Sequence, residues 1–190
     1  MTSDSGPSFP VEDGLLAIQP QPRLFTVGHS NHTTARLLEL LTLHGVQVLV
    51  DVRSAPYSRF APHFNRESLE PTIKHTGLRY LFMGEELGGR QLGKIVSLPE
   101  RLAAYEQVAA NPAFRASIGR LLRGATDYVI AVLCAEEVPT ECHRRVWVAR
   151  ALRERGADMQ HIRGDGRLDT DTALRRLEPP AGRQLDLFDG

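Results

Sequence analysis

Apolar and polar positions along the chain fall into short continuous blocks and longer periodic ones. After an opening stretch without periodicity, residues 23–28, RLFTVG, form a β-rich run. HSNHTTARLLELLTLHG follows, with Leu37, Leu38, Leu40 and Leu41 at helical spacing between a threonine cap and Gly45 just past the end. VQVLVDVRS is again almost continuously apolar, as suits a strand buried on both faces of a parallel sheet. The pattern then predicts an irregular loop in APYSRFAPHF, a short helix through RESLEPTIKHTG capped by Asn65, a third strand in LRYLFM, and a glycine-rich loop, GEELGGRQLGKI. Successive helices are expected in SLPERLAAYEQVAA and in NPAFRASIGRLLRG, the latter with Asn111 as N-cap, Pro112 at the first helical position and Gly124 at its end. DYVIAVLCAE reads as the central strand, PTECHRRVWVARALRERG as an amphipathic helix starting at Pro139 or Thr140, ADMQHIRG as a last strand and TDTALRRLEP as a final short helix.

Strands alternating with helices predict an α/β fold, a single three-layer domain with a mostly parallel sheet and helices on both faces, over residues 23–178. Residues 1–22, rich in Ser, Gly and Pro, read as a flexible arm, and residues 179–190, which begin with a double proline, as a flexible tail. In such open sheets ligands bind beyond the carboxyl ends of the strands. Three ends carry chemistry: His29, Ser30 and Asn31 after the first strand, Asp51, Arg53 and Ser54 after the second, Cys134, Glu136 and Glu137 after the fourth. They are expected to converge.

Composition narrows the picture. Lys plus Arg equals Asp plus Glu at 23 each, so net charge gives no case for a wholesale nucleic-acid or membrane binder and any charge effect must be local. No apolar run reaches the roughly 18–20 residues that span a bilayer, and no basic-then-apolar leader opens the chain, so a soluble, cytoplasmic protein is expected. Two cysteines are too few for a disulfide framework.

TVGHSN, VDVRSAPYSRF, LGGR and LCAEEVPTECHR with a later HI lie in order between residues 24 and 165. In these motifs the chain resembles the bacterial domain of unknown function 488 family. The resemblance implies a small cytoplasmic α/β domain whose motif residues here are Gly28, His29, Ser30, Asp51, Arg53, Cys134, Glu136, Cys142, His143 and Arg144. It implies no reaction.

The residues themselves leave several chemistries open. A metal site could draw on Cys134, Cys142, His143 and His29, yet seven residues separate the cysteines and no C-x-x-C pair exists. No metal is therefore assigned, and zinc stays open as the sole cofactor. A nucleophilic Cys134 or Cys142 gains from a helix N-terminus, but the loop AEEVPTECH is long and sets carboxylates beside the anion that such enzymes bind. The third chemistry uses Glu136 or Asp51 as acid or base, His29 or His143 as partner, and Arg53 and Arg144 as anion clamps, with Gly28 and Ser30 at the substrate or phosphate. Against all three stands a buried structural network of Asp51, Arg53, Arg144 and Glu136 with the cysteines as small core residues.

The tail adds a partner. Gln184, Leu185, Asp186, Leu187 and Phe188, QLDLF, resemble the short peptide by which bacterial repair and replication proteins bind the sliding clamp. Its apolar side chains stand where too few residues remain to bury them, so a partner's pocket is expected to do so. The expectation is a nucleoid-associated DNA enzyme, a repair or nucleic-acid-processing hydrolase, glycosylase first and nuclease second. The alternatives are a non-catalytic nucleotide- or DNA-binding adaptor and a thiol or zinc enzyme acting on a small molecule.

Overall fold

Six strands form one sheet in the order β3-β2-β4-β1-β5-β6. β1 (Leu24–Gly28), β2 (Val48–Asp51), β3 (Arg79–Phe82), β4 (Ile130–Cys134) and β5 (Met159–Ile162) run parallel, and β6 (Leu168–Thr170) runs antiparallel to β5. The computed structural model describes residues 23–90 and 97–176, the side chain of Glu141 excepted. The arm and the tail read from the sequence therefore lie outside the described residues. Among the described residues no helix is long and apolar enough to cross a membrane.

The pleat divides each strand between two cores, which is why β1, β2 and β4 are buried at every position. Phe25, Val27, Leu49, Ala131, Leu133 and Ile162 meet α1 (Thr34–Leu43) and α2 (Arg66–His75) on one face. On the other, Leu24, Val48, Val50, Ile130, Val132 and Met159 meet α3 (Gly84–Leu87), α5 (Tyr105–Ala110), α6 (Pro112–Asp127) and the helical segment 144–153. Leu37, Leu40 and Leu41 of α1 are fully buried, each worth about 1.5–3 kcal/mol by apolar burial. The predicted α/β layering thus holds, and the five strands read from the sequence are the five parallel ones.

Local differences have local causes. The Thr33 hydroxyl does cap α1, and Gly45 takes the left-handed φ of +64°. Asn65 sits at the start of α2, but its side-chain oxygen accepts the Ser58 N–H at 2.7 Å and pins the loop 55–61 rather than the helix. The first of the two helices expected after the glycine-rich loop is broken at Ala104 into α4 (Leu98–Ala103) and α5. α6 runs past Gly124, where a side chain would crowd Ile130, so that glycine serves packing and not helix termination. β6 is absent from the elements that the sequence pattern predicts; the Asp165-Gly166 pair, with Gly166 at φ +93°, is the turn signal for it.

The helix expected from Pro139 is built differently. Residues Pro139–Glu141 make a 3₁₀ turn, Cys142 is extended, and the chain becomes helical from His143 through a wide π turn at Arg144–Ala149 into α7 (Arg150–Arg153). Cys142 thus precedes the helix instead of lying within its first turn. A final helix, α8 (Asp171–Arg176), places Asp171 against Arg145 and Arg153.

Candidate active site

Strand order decides where the chemistry gathers. β2, β4 and β1 are neighbours, and their register sets Asp51 beside Leu133 and Gly28 beside Cys134, so their carboxyl ends open side by side. A cleft of about 280 Å³ lies there. His29, Arg53, Cys134, Glu136 and His143 line it, joined by Tyr57 and by Arg90 from the LGGR segment. A larger depression of about 660 Å³ lies at the opposite end of the sheet, between Arg23, His44 and Asp158, away from this group.

The loop from Cys134 to Cys142 carries the centre of the site. Arg144, fully buried, ties it down: its guanidinium donates to the Glu136 carbonyl, to the Glu137 carbonyl at 2.7 Å and to the Thr26 hydroxyl at 3.2 Å. The Thr26 hydroxyl in turn shares a hydrogen bond with His161 Nδ1 at 2.7 Å. Glu137 turns away and accepts from Arg163 and the Gly164 N–H. Gly28 lets the loop come close, since a Cβ there would lie 1.9 Å from the Glu136 carbonyl oxygen.

So held, the loop folds back until Cys134, Glu136, Cys142 and His143 have donor atoms within 4.8 Å of one another. His143 Nδ1 lies 3.7 Å from the Cys134 sulfur and 3.8 Å from that of Cys142. Its Nε2–H donates to the Val52 carbonyl at 3.1 Å, so Nδ1 is the ring nitrogen turned toward the sulfurs. Glu136 Oε2 stands 2.6 Å and 3.2 Å from the same two sulfurs. Cys134, Cys142 and His143 are buried, whereas Glu136 is exposed. Among the described residues, these four form the group that could hold a metal.

The two thiols differ in character. Burial, the Cys142 contact and the Glu136 charge push the Cys134 thiol up. Burial also opposes ionisation of Cys142, but Cys134, Arg144 and His143 outweigh it and hold this thiol well below its usual range. Burial works to lower the His143 pKa, and the Cys142 charge reverses it, so the imidazole is raised. The thiol held low is the one outside the cleft lining.

The remaining predicted residues divide into those that face the cleft and those that support it. Asp51 is fully buried: its carboxylate takes the Arg53 guanidinium at 2.9 and 2.6 Å, the Arg53 N–H at 3.0 Å and the Tyr80 hydroxyl at 2.6 Å. With both oxygens engaged it does not reach the cleft; it orients Arg53, which does. Arg144 likewise spends its donors on the loop and is not presented to a ligand. Ser30 adopts a φ of +44° and gives its N–H to the Ala135 carbonyl at 2.9 Å, outside the cleft lining. Tyr57, within VDVRSAPYSRF, and Gly89, within LGGR, line the cleft although the motif reading names neither as a site residue, and Tyr80 lies in no motif. Tyr57 is 71 % exposed, as a loop aromatic beside an open cleft.

His29 stacks on Phe64 at 4.3 Å and donates from Nδ1 to the Ser30 carbonyl at 3.0 Å. Burial, then the Arg53 charge, lowers its pKa to about 4, so the ring is neutral at pH 7. Because the unfolded chain binds this proton near pH 6.5 and the folded one does not, stability falls as pH drops from 6.5 toward 4, by about 3 kcal/mol at most, and levels off below. His161, lowered mainly by burial, adds a loss of the same sign. Urea midpoints at pH 7 and pH 5 are expected to differ by less in His29→Asn than in the wild type; an unchanged difference would assign the slope to other groups.

Fold and cleft together define an open parallel α/β domain that presents its chemistry beyond the strand ends. The sequence pattern of one family, Domain of unknown function DUF488, matches residues 33–152, and the chain belongs to that family. No curated protein and no solved structure matches it.

Proposed function

We propose that the protein is a DNA-associated hydrolase that acts on a single nucleotide held in the cleft, tethered to the replication sliding clamp by residues 184–188. The observation that carries this reading is Glu136, an exposed carboxylate at the cleft wall with cysteine and histidine side chains on one side and Arg53 and Arg90 among the other lining residues. Glu136 serves as proton donor and acceptor, Arg53 as the anion clamp aimed by Asp51, and neutral His29 as a hydrogen-bonding partner. Tyr57 offers a ring on which a base can stack, with exposed Phe60 three residues on. The cleft's size suits one extruded base with its sugar and not a duplex, which favours the N-glycosidic bond. A phosphodiester is the second reading, favoured by the arginines.

Purified protein incubated with single- and double-stranded oligonucleotides bearing damaged or modified bases is expected to release a base or cut a strand. No product and no binding across the panel would overturn the enzymatic reading; binding without product would leave the adaptor. The tail is tested separately, because its residues lie outside those described. A peptide RQLDLFDG is expected to bind a bacterial sliding clamp, and replacing Leu187 and Phe188 with Ala to weaken it about tenfold or more, since each buries an apolar side chain. An unchanged affinity, with a lowered melting temperature in the full-length double variant, would mean that the tail packs on its own domain.

A further inference from the structure

We propose that Cys134, Cys142 and His143 bind one zinc ion, or a divalent cation of similar softness, with Glu136 flanking an open fourth position. The site is the one already described, but the inference rests on donor geometry and not on the hydrolase reading.

Zinc–sulfur bonds of ~2.3 Å and zinc–nitrogen bonds of ~2.0 Å at tetrahedral angles put sulfur and nitrogen roughly 3.5 Å apart. His143 Nδ1 lies 3.7 and 3.8 Å from the two sulfurs, close to the edges of such a tetrahedron. The imidazole is already oriented as a ligand, because its Nε2–H is spent on the Val52 carbonyl, as the outer hydrogen bond of a metal-binding histidine usually is. The Arg144 N–H, 3.5 Å from the Cys142 sulfur, is placed to support a thiolate there.

Glu136 supplies the second argument. Its Oε2 accepts from both thiols, at 2.6 and 3.2 Å, closer than the edge length of such a tetrahedron. A carboxylate crowding two sulfurs gathers groups that repel one another once ionised, and a cation at their centre removes the conflict. The exposed carboxylate can turn outward to admit it. Three buried donors of Cys₂His type and one side open to the cleft are the pattern of a catalytic, not a structural, zinc site. A nucleophilic cysteine fits less well, since Cys142 lies outside the cleft lining and Cys134 faces the Glu136 carboxylate. In a hydrolysis, a water on the ion would give a proton to Glu136, the hydroxide would add to the substrate, and Glu136 would return the proton to the leaving group; nothing is oxidised or reduced.

Full-length protein, expressed in zinc-supplemented medium and purified without chelator, is expected to carry about one equivalent of zinc by elemental analysis. Replacement by cobalt(II) is expected to give the thiolate-to-cobalt absorption band. Cys142→Ser should lower metal content at least tenfold, and because that variant could misfold, zinc affinity of the stripped wild type is also measured by competition with a chromophoric chelator. Glu136→Gln should retain the metal. No zinc bound by reduced wild type at micromolar free metal, or a Cys134–Cys142 disulfide in the isolated protein, would overturn the proposal. Metal loss in Glu136→Gln would overturn the open fourth position. Stoichiometric metal with no product on the oligonucleotide panel would leave the metal site standing and remove the hydrolase reading alone.

Discussion

Glu136→Gln is expected to lower turnover of the oligonucleotide substrate by roughly 10²–10⁴-fold, the usual worth of a positioned acid–base group, while the protein folds as before. Gln has the shape of Glu but cannot shuttle a proton at neutral pH. The side chain is exposed, so the exchange removes no core packing. What holds the residue in place is its backbone carbonyl, bound by Arg144, and that contact survives the substitution. The effect should fall on kcat, since the charge matters most as bonds break. Steady-state kinetics and a melting curve on the same preparation check it. Activity within a few-fold of wild type would move the acid–base role away from Glu136; equal rescue of a gene-deleted strain by wild type and variant would favour the adaptor.

Arg144→Met is expected to destabilise the protein by about 3–5 kcal/mol, because three buried acceptors lose the donor they share, at roughly 1–3 kcal/mol each. Burying a guanidinium is tolerated here because its donors meet the Thr26 hydroxyl and two loop carbonyls. Methionine fills much of the same volume but satisfies none of these groups, so the carbonyls of Glu136 and Glu137 lose their inner partner. Arg144→Lys should recover only part of the loss, because one ammonium cannot fork across two carbonyls and reach Thr26 as well. Urea unfolding of the three proteins reads this directly. A loss under about 1 kcal/mol for the Met variant would show that the loop is held by its other contacts, chiefly Glu137 with Arg163.

Glu136 and Arg144 show how far a reading of the sequence reaches. Glu136 directly follows the central strand and Arg144 opens the helical segment after it, so their grouping at one sheet edge is legible from element assignment. Their division of labour is not. Arg53 and Arg144 are equal in sequence terms, yet one lines the cleft on a buried Asp51 and the other is enclosed beneath the loop. Which of two buried arginines lines the cleft depends on side-chain packing between elements distant in the chain.

Hydrophobic periodicity alone determined the five parallel strands, the helices flanking them and the layered α/β class, because each of these depends on local spacing that the sheet then rewards by burial. The order β3-β2-β4-β1-β5-β6 came only with the tertiary structure, and it is this order that sets the ends of β1, β2 and β4 side by side. The metal-type centre shows the same limit. Seven residues between Cys134 and Cys142 match no standard ligand spacing, and spacing rules assume a short turn between ligands. Here a longer loop doubles back over Gly28, clamped by Arg144, and brings both sulfurs to His143. Distance along the chain could not reveal that closure, because the close approach at Gly28 and the hydrogen bonds of a residue inside the fold produce it.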